Sequence, residues 1–135
     1  MKKTILYTLF LLSTLGTLCS CQESKGERFE REAKEFTQKN CPSISSDGLI
    51  RTDSMVCHND GKKDMQYFYT ILNEETEDVI LRNQENVRVE LHRGIINSVD
   101  MRHQKEAGLN FHYIYRSSKT GKEVLHFVFT PQDYR

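Results

Sequence analysis

The sequence predicts a single α+β domain in the order αββαββ, with a four-stranded antiparallel sheet and two helices packed on one of its faces. Three observations carry this. Two segments repeat apolar residues at helical spacing. Two pairs of segments alternate apolar and polar residues, as half-buried strands do. Each strand pair is joined by a short turn containing glycine, Asp60-Gly61 in the first and Gly121 in the second. With both strand pairs read as hairpins and no strand–helix–strand alternation, helices on one face of an antiparallel sheet is the simplest packing.

The first helix is read over residues 27–40, where Phe29, Ala33 and Phe36 recur at steps of four and three among charges. Asn40-Cys41-Pro42 stops it, because the residue before a proline avoids helical angles. Residues 43–48 read as a loop of small residues. Strands follow over 49–57 and 64–72. A tight turn at Asp60-Gly61, a pair that tolerates positive φ, pairs Val56 with Met65, Ser54 with Tyr67, Thr52 with Tyr69 and Ile50 with Ile71. One face then carries Ile50, Val56, Met65, Tyr67, Tyr69 and Ile71. Arg51, Asp53, Gln66 and Phe68 fall on the other, and the apolar pattern argues against a slip of one residue.

The acidic run Glu74, Glu75, Glu77 and Asp78 is read as a loop leading into a second helix, since acids suit a helix N-terminus. That helix spans 83–99, with Val87, Leu91, Ile95 and Val99 on one face. Residues 101–108 are a connector with a helical turn stopped by Gly108. The last strands are 109–116 and 123–130. Leu109, Phe111, Tyr113 and Tyr115 share a face, as do Leu125, Phe127 and Phe129, which puts His112, Ile114 and His126 on the opposite one. Pro131 cannot continue a central strand.

Ahead of the domain the chain opens Met1-Lys2-Lys3 and runs apolar from Ile5 to Leu18. A positive start, an apolar core and small residues near a cleavage point make up a secretory signal. The stretch of 14 residues is short of the roughly 20 that cross a bilayer. It ends Leu18-Cys19-Ser20-Cys21, which resembles the lipobox of bacterial lipoproteins. The resemblance implies cleavage before Cys21, a thioether-linked diacylglycerol on its sulfur and a further acyl chain, such as palmitate, on its amine. Two or more chains hold a protein on a membrane stably. The expected organisation is a signal peptide over 1–20, a tether over 21–26 and the domain over 27–135. The expected address is the cell envelope by lipid anchor, the outer membrane favoured over the inner.

The whole chain carries 19 Lys and Arg against 19 Asp and Glu. Removing Lys2 and Lys3 with the signal leaves 17 against 19, a net charge of −2. That is not the basic footprint of a nucleic-acid binder.

Motifs of chemistry are missing: no nucleophile elbow, no HExxH, no Walker loop. Lys119-Thr120-Gly121-Lys122 has fragments of a phosphate loop but lacks the upstream glycine and reads as a turn. His112 and His126 share a sheet face and could bind a metal together with His103 or Glu106. A metal needs three or four ligands at fixed distances and no close ligand spacing supports one, so neither metal nor cofactor is expected. His58 falls in a turn and His92 beside Leu91. Arg51 and Asp53, two apart on one strand, read as partners of each other or of water. Cys41 and Cys57, 16 residues apart, form a possible disulfide. Export favours pairing, and the closed loop would be worth about 3 kcal/mol. The alternative of two unpaired thiols stays open, since spacing does not show that side chains meet. There is no CxxC to suggest a redox enzyme.

The pieces Asn40-Cys41-Pro42, Arg51-Thr52-Asp53-Ser54, Tyr67-Phe68-Tyr69-Thr70, Phe111-His112-Tyr113-Ile114-Tyr115 with Gly121, and Phe129-Thr130-Pro131-Gln132-Asp133-Tyr134 spread over most of the chain. On these the chain resembles a group of small secreted bacterial lipoproteins and periplasmic proteins of unknown function. The resemblance implies one compact domain with this order of elements, and no activity. The expected function is non-enzymatic: an interaction module tethered to a membrane, an immunity or inhibitor protein or a subunit of an envelope complex. A small-ligand or glycan binding module is the alternative. The candidate surface is the face bearing Arg51, Asp53, Phe68, His112, Ile114 and His126, since the helices should cover the aromatic one.

Overall fold

The structure, a computed structural model, describes residues 22–135. The expected signal peptide, its cleavage point and Cys21 lie outside the described residues. The chain folds as one α+β domain with a five-stranded mixed sheet in the order β1-β2-β3-β4-β5. Helix α1 (Lys25–Asn40) precedes strands β1 (Ser43–Ile44), β2 (Ile50–His58) and β3 (Asp64–Ile71). Helices α2 (Glu74–Arg82), α3 (Gln84–Asn97) and α4 (Arg102–Ala107) lead to β4 (Asn110–Ser117) and β5 (Glu123–Phe129), and α5 (Pro131–Tyr134) closes the chain.

The α1 helix is set by both ends. Ser24 and Glu27 form a reciprocal capping box that satisfies two free N–H groups of the first turn. Cys41, before Pro42, is extended and ends it. Phe29 and Ala33 are buried against β2 beside Cys57.

Two expectations about the sheet are corrected. The segment read as a small-residue loop contributes β1, which pairs antiparallel with β2 at Ser43–Thr52 and Ile44–Arg51. The sheet is not purely antiparallel either: β3 and β4 run parallel, from Asp64–Asn110 to Ile71–Ser117. The reason is the connection. The stretch from Leu72 to Leu109 carries three helices and returns the chain from the far end of β3 to its near end, and a parallel pair requires such a crossover.

Helix count differs for a related reason. Glu74, Glu75 and Glu77 of the acidic run lie in the first turn of α2, capped by Asn73, whose side chain accepts from Thr76 N at 2.8 Å. Here the acids do suit a helix N-terminus, of a helix that was read as loop. Helix α3 stops at Asn97, short of Val99, which is left 76% exposed. Its end is fixed from outside: Lys105 Nζ donates to the carbonyls of Ile95, Ile96 and Ser98 at 2.8–3.0 Å, satisfying orphan acceptors of the last turn. The short α4 follows and ends at Gly108, which has φ +74°.

The register of β2 on β3 is a third correction. Thr52–Tyr69 and Ile50–Ile71 pair as expected, but beyond Asp53 the partners are Ser54–Phe68, Val56–Gln66 and Cys57–Met65. Asp53 is the extra residue of a β-bulge, and one extra residue inverts the in-and-out alternation of every side chain beyond it. Consequently Met55 and Cys57, not Val56, join the core side. The same shift lengthens the turn, whose closing pair is His58–Asp64. Asp60-Gly61 thus sits in a five-residue loop, not a two-residue turn. Gly61 still has φ +90° with open space around it. Gly61→Val is therefore expected to cost about 1 kcal/mol or more through backbone strain alone. An unchanged denaturant midpoint would contradict this.

All core side chains meet on one face of the sheet: Met65, Ile71, Phe111, Tyr113, Tyr115, Leu125, Phe127 and Phe129 with Phe29, Ala33 and Ile95 from the helices. At the C-terminus, Tyr134 donates to Leu109 O at 2.6 Å and its ring meets Phe111. His92 lies against Phe129 and reaches the Asp133 carbonyl at 2.6 Å, tying α5 to α3. Cys41 and Cys57 are not bridged. Helix α1 runs back along β2, so Cys57 lies beside Ala33 while Cys41 follows the helix end. Ser43 pairs with Thr52, which places Cys41 several residues along β2 from Cys57, beyond disulfide reach. Burial raises both thiols above the usual range, Cys57 to about 11, so neither is a ready nucleophile at neutral pH.

Candidate functional site

The strand registers bring all six expected residues to the face opposite the core. Arg51 pairs with Thr70, Phe68 with Ile114 and Ile114 with His126. Along β4, His112 and Arg116 flank Ile114 on the same side. Asp53 arrives by the bulge: its carboxylate accepts from Arg51 Nε at 2.6 Å through one oxygen and from Thr70 Oγ1 at 2.6 Å through the other. Arg51 Nη2 also donates to Thr70 Oγ1 at 3.2 Å. The bulge therefore builds a closed Arg51–Asp53–Thr70 triangle on the sheet.

Beside it, Ile114 is 5% exposed yet stands outside the core cluster. Its neighbours are other strand residues, half-buried Phe68 on one side and His126 on the other. None of the buried helix residues packs on this side. The guanidinium of Arg116 lies over the Phe68 ring, 5.3 Å from its centroid. Arg51, Asp53, Phe68, Thr70 and Arg116, with Ser54 and the Ser117–Ser118 and Gly121 backbone region where β4 turns into β5, line an open depression of about 430 Å³.

At the other end of the face a row of polar groups crosses the sheet. His112 Nδ1 and His126 Nε2 are 2.9 Å apart. Asp64 Oδ1 lies 3.5 Å from His112 Nε2, and Glu123 Oε1 lies 3.6 Å from His126 Nδ1. A ring-to-ring hydrogen bond needs one N–H and one lone pair. The tautomer in which His126 Nε2 donates to His112 leaves the His112 Nε2–H pointing toward Asp64. That nitrogen is buried without a hydrogen-bond partner, so Asp64 serves it by charge rather than by a bond. Asp64 in turn accepts from Asn110 Nδ2 at 2.9 Å.

Neither His103 nor Glu106 joins this row. They face each other on α4 at 3.7 Å, and among the described residues no group of three His, Cys, Asp or Glu is placed to hold a metal ion. Lys119 of the phosphate-loop-like stretch is ion-paired with Glu74. On the core side, Tyr67–Tyr113 and Tyr69–Tyr115 stack with centroids 5.0 Å apart. Burial raises all four phenols, Tyr115 to about 12, so they act as neutral aromatic packing at ordinary pH. Among the described residues no helix is long and apolar enough to cross a membrane.

The model of a family described as a domain of unknown function, DUF8479, matches residues 24–126. The chain belongs to this family. The DUF8479 match starts at the Ser24 cap of α1 and ends at His126, so it takes in every residue of the face. No curated protein matches the chain. Two solved structures resemble its fold. A candidate secreted protein from Pseudomonas aeruginosa superposes with a TM-score of 0.70 at 16% identity, over 82% of this chain and 92% of that one. A pilotin from the type 2 secretion system of Vibrio vulnificus superposes at 0.54 with 12% identity, over 82% and 91%. At such identities the likeness concerns the fold.

Arg116 and Thr70 are members of this face that the sequence reading left out. Strand alternation does place both on it, Arg116 two residues after Ile114 and Thr70 two after Phe68. What alternation does not display is that Arg116 folds back over Phe68.

Proposed function

We propose that this DUF8479 protein is a lipid-anchored, non-enzymatic interaction module of the cell envelope that docks a protein partner on the face bearing Arg51, Asp53, Phe68, His112, Ile114 and His126. The observation that carries the reading is Phe68 and Ile114, apolar side chains at the centre of a sheet face on which no described helix packs its buried residues. An apolar centre with an aromatic and an arginine, rimmed by polar groups, has the composition of an interface. Fold likeness to a secreted protein and to a secretion-system pilotin supports an envelope role, with a subunit of an envelope complex ahead of an immunity or inhibitor protein. The polar depression at Arg51 and Arg116 also favours a second reading, a binding module for a small ligand or glycan.

The test is capture from envelope extract by the anchored protein, compared with Phe68→Asp and with Val99→Asp on the helical side. Ile114 is a poor choice for this purpose, because a charge there would be nearly buried and unpaired. Capture of a defined protein by the wild type and by Val99→Asp, lost with a correctly folded Phe68→Asp, is the expected result. Undiminished capture by Phe68→Asp would exclude this face. Turnover of a substrate that His112→Ala abolishes would overturn the non-enzymatic reading.

A further inference from the structure

Arg51 and Arg116 flank the depression at one end of the face, and the single carboxylate lining it, Asp53, has both oxygens engaged by Arg51 and Thr70. Arg51 keeps Nη1 and the second N–H of Nη2 for another acceptor. Arg116 is exposed, and no described acid lies within ion-pair range of it. Its cross-strand partner, Glu123, turns toward His126 instead. The Arg116 guanidinium lies over the Phe68 ring, 5.3 Å from its centroid, and a guanidinium resting on an aromatic face loses less freedom when it binds a carboxylate. The depression therefore offers one uncompensated guanidinium, Arg116, the spare N–H donors of the Asp53-paired Arg51, and an apolar floor.

Its position narrows the source of the anion. Helix α1 begins at Lys25, and Gly26 lies against Asn59 of the β2–β3 loop, so the chain enters the domain at the Asp64 end of the sheet. Arg51, Thr70 and Arg116 lie at the opposite end, six register steps from Asp64 along β3. At about 3.3 Å per residue this is roughly 20 Å. With a lipid on Cys21, the depression would lie at the end of the sheet far from the attachment point, which favours a protein over phospholipid headgroups as the source. A small free anion would gain one uncompensated charge and a few hydrogen bonds in an open site while losing its whole freedom of motion. A carboxylate on a protein resting on Phe68 loses little more.

We infer that Arg51 and Arg116 form a carboxylate-recognition site for an aspartate or glutamate side chain, next to an apolar residue, on the docked partner. The inference rests on the docking face proposed above and names its specificity. The probes are two peptides blocked at both ends, one containing Asp-Phe-Glu and its counterpart containing Asn-Phe-Gln, together with succinate and inorganic phosphate. Each is titrated into the full chain while the arginine side-chain N–H resonances are followed by NMR. The acidic peptide shifts the Arg51 and Arg116 signals saturably and binds at least about tenfold more tightly than the amide peptide, as expected of a charged hydrogen-bonded pair. Arg116→Gln, a surface change that leaves the core intact, removes most of that preference, and Arg116→Lys restores part of it. Equal binding of the two peptides, no binding of either, or an unaltered preference in Arg116→Gln overturns the inference. Tighter binding of succinate or phosphate than of the acidic peptide also overturns it, in favour of a free-anion site. Any of these results together with capture that still depends on Phe68 leaves the docking face standing and removes only its carboxylate specificity.

Discussion

Phe111→Ala is expected to destabilise the domain by about 3–5 kcal/mol, a large part of the 5–15 kcal/mol that typically holds such a domain together. Phe111 is fully buried in β4, between Met65 on β3 and Phe129 on β5. It also contacts Tyr134, whose hydroxyl clamps the C-terminal helix to Leu109. Removing the ring opens a cavity in the middle of the sheet that rigid strand neighbours cannot refill, and it loosens the α5 clamp as well. Denaturant unfolding measures the loss. Phe68→Ala provides the contrast: its ring lies on the opposite face under an exposed arginine, and the expected cost is well below that of Phe111. Equal penalties would contradict the assignment of core and open face.

Cys21→Ser is expected to move the protein from the membrane fraction to the soluble fraction and to abolish acylation. The cysteine closes Leu18-Cys19-Ser20-Cys21 at the end of an apolar run, and its sulfur is the atom a diacylglycerol thioether requires. Serine cannot form that bond. Because stable anchoring needs more than one acyl chain, loss of the thioether leaves no partial attachment. Radiolabelled palmitate incorporation and fractionation read the two effects separately. A mutant still acylated in the membrane fraction would contradict the lipobox reading, as would a wild-type protein found wholly soluble.

Much of the face could be read from alternation. The odd-numbered aromatics of β4 and β5 point to the core and His112, Ile114 and His126 point away, a period-2 pattern that needs no knowledge of sheet order. The C-terminal end of α1 was legible because Pro42 follows its apolar stripe; its start was not, because the Ser24 cap and the first helical residues from Lys25 lie in the polar stretch expected to be a tether. The bulge was not. Met55, Val56 and Cys57 are all apolar, so the sequence looks equally well buried in either register, and only Asp53 marks the extra residue. Helix α2 was hidden because its first turn is almost entirely acidic and none of its residues is fully buried. The parallel pairing of β3 with β4 is a long-range choice, decided by where three helices return the chain and by no local pattern. Of the two alternatives for Cys41 and Cys57, the structure has the unbridged one: compartment argues for pairing, but α1 holds the two at separate points along β2.

The docking face is tested most directly in the intact envelope. A photoreactive benzoyl-phenylalanine placed at position 68, with a control at position 99 beyond the end of α3, is irradiated in cells and the adducts are sized and identified. A discrete protein adduct from position 68, absent from position 99, is the expected result. An adduct from position 99 with none from position 68 would place the partner on the helical side and contradict the central claim.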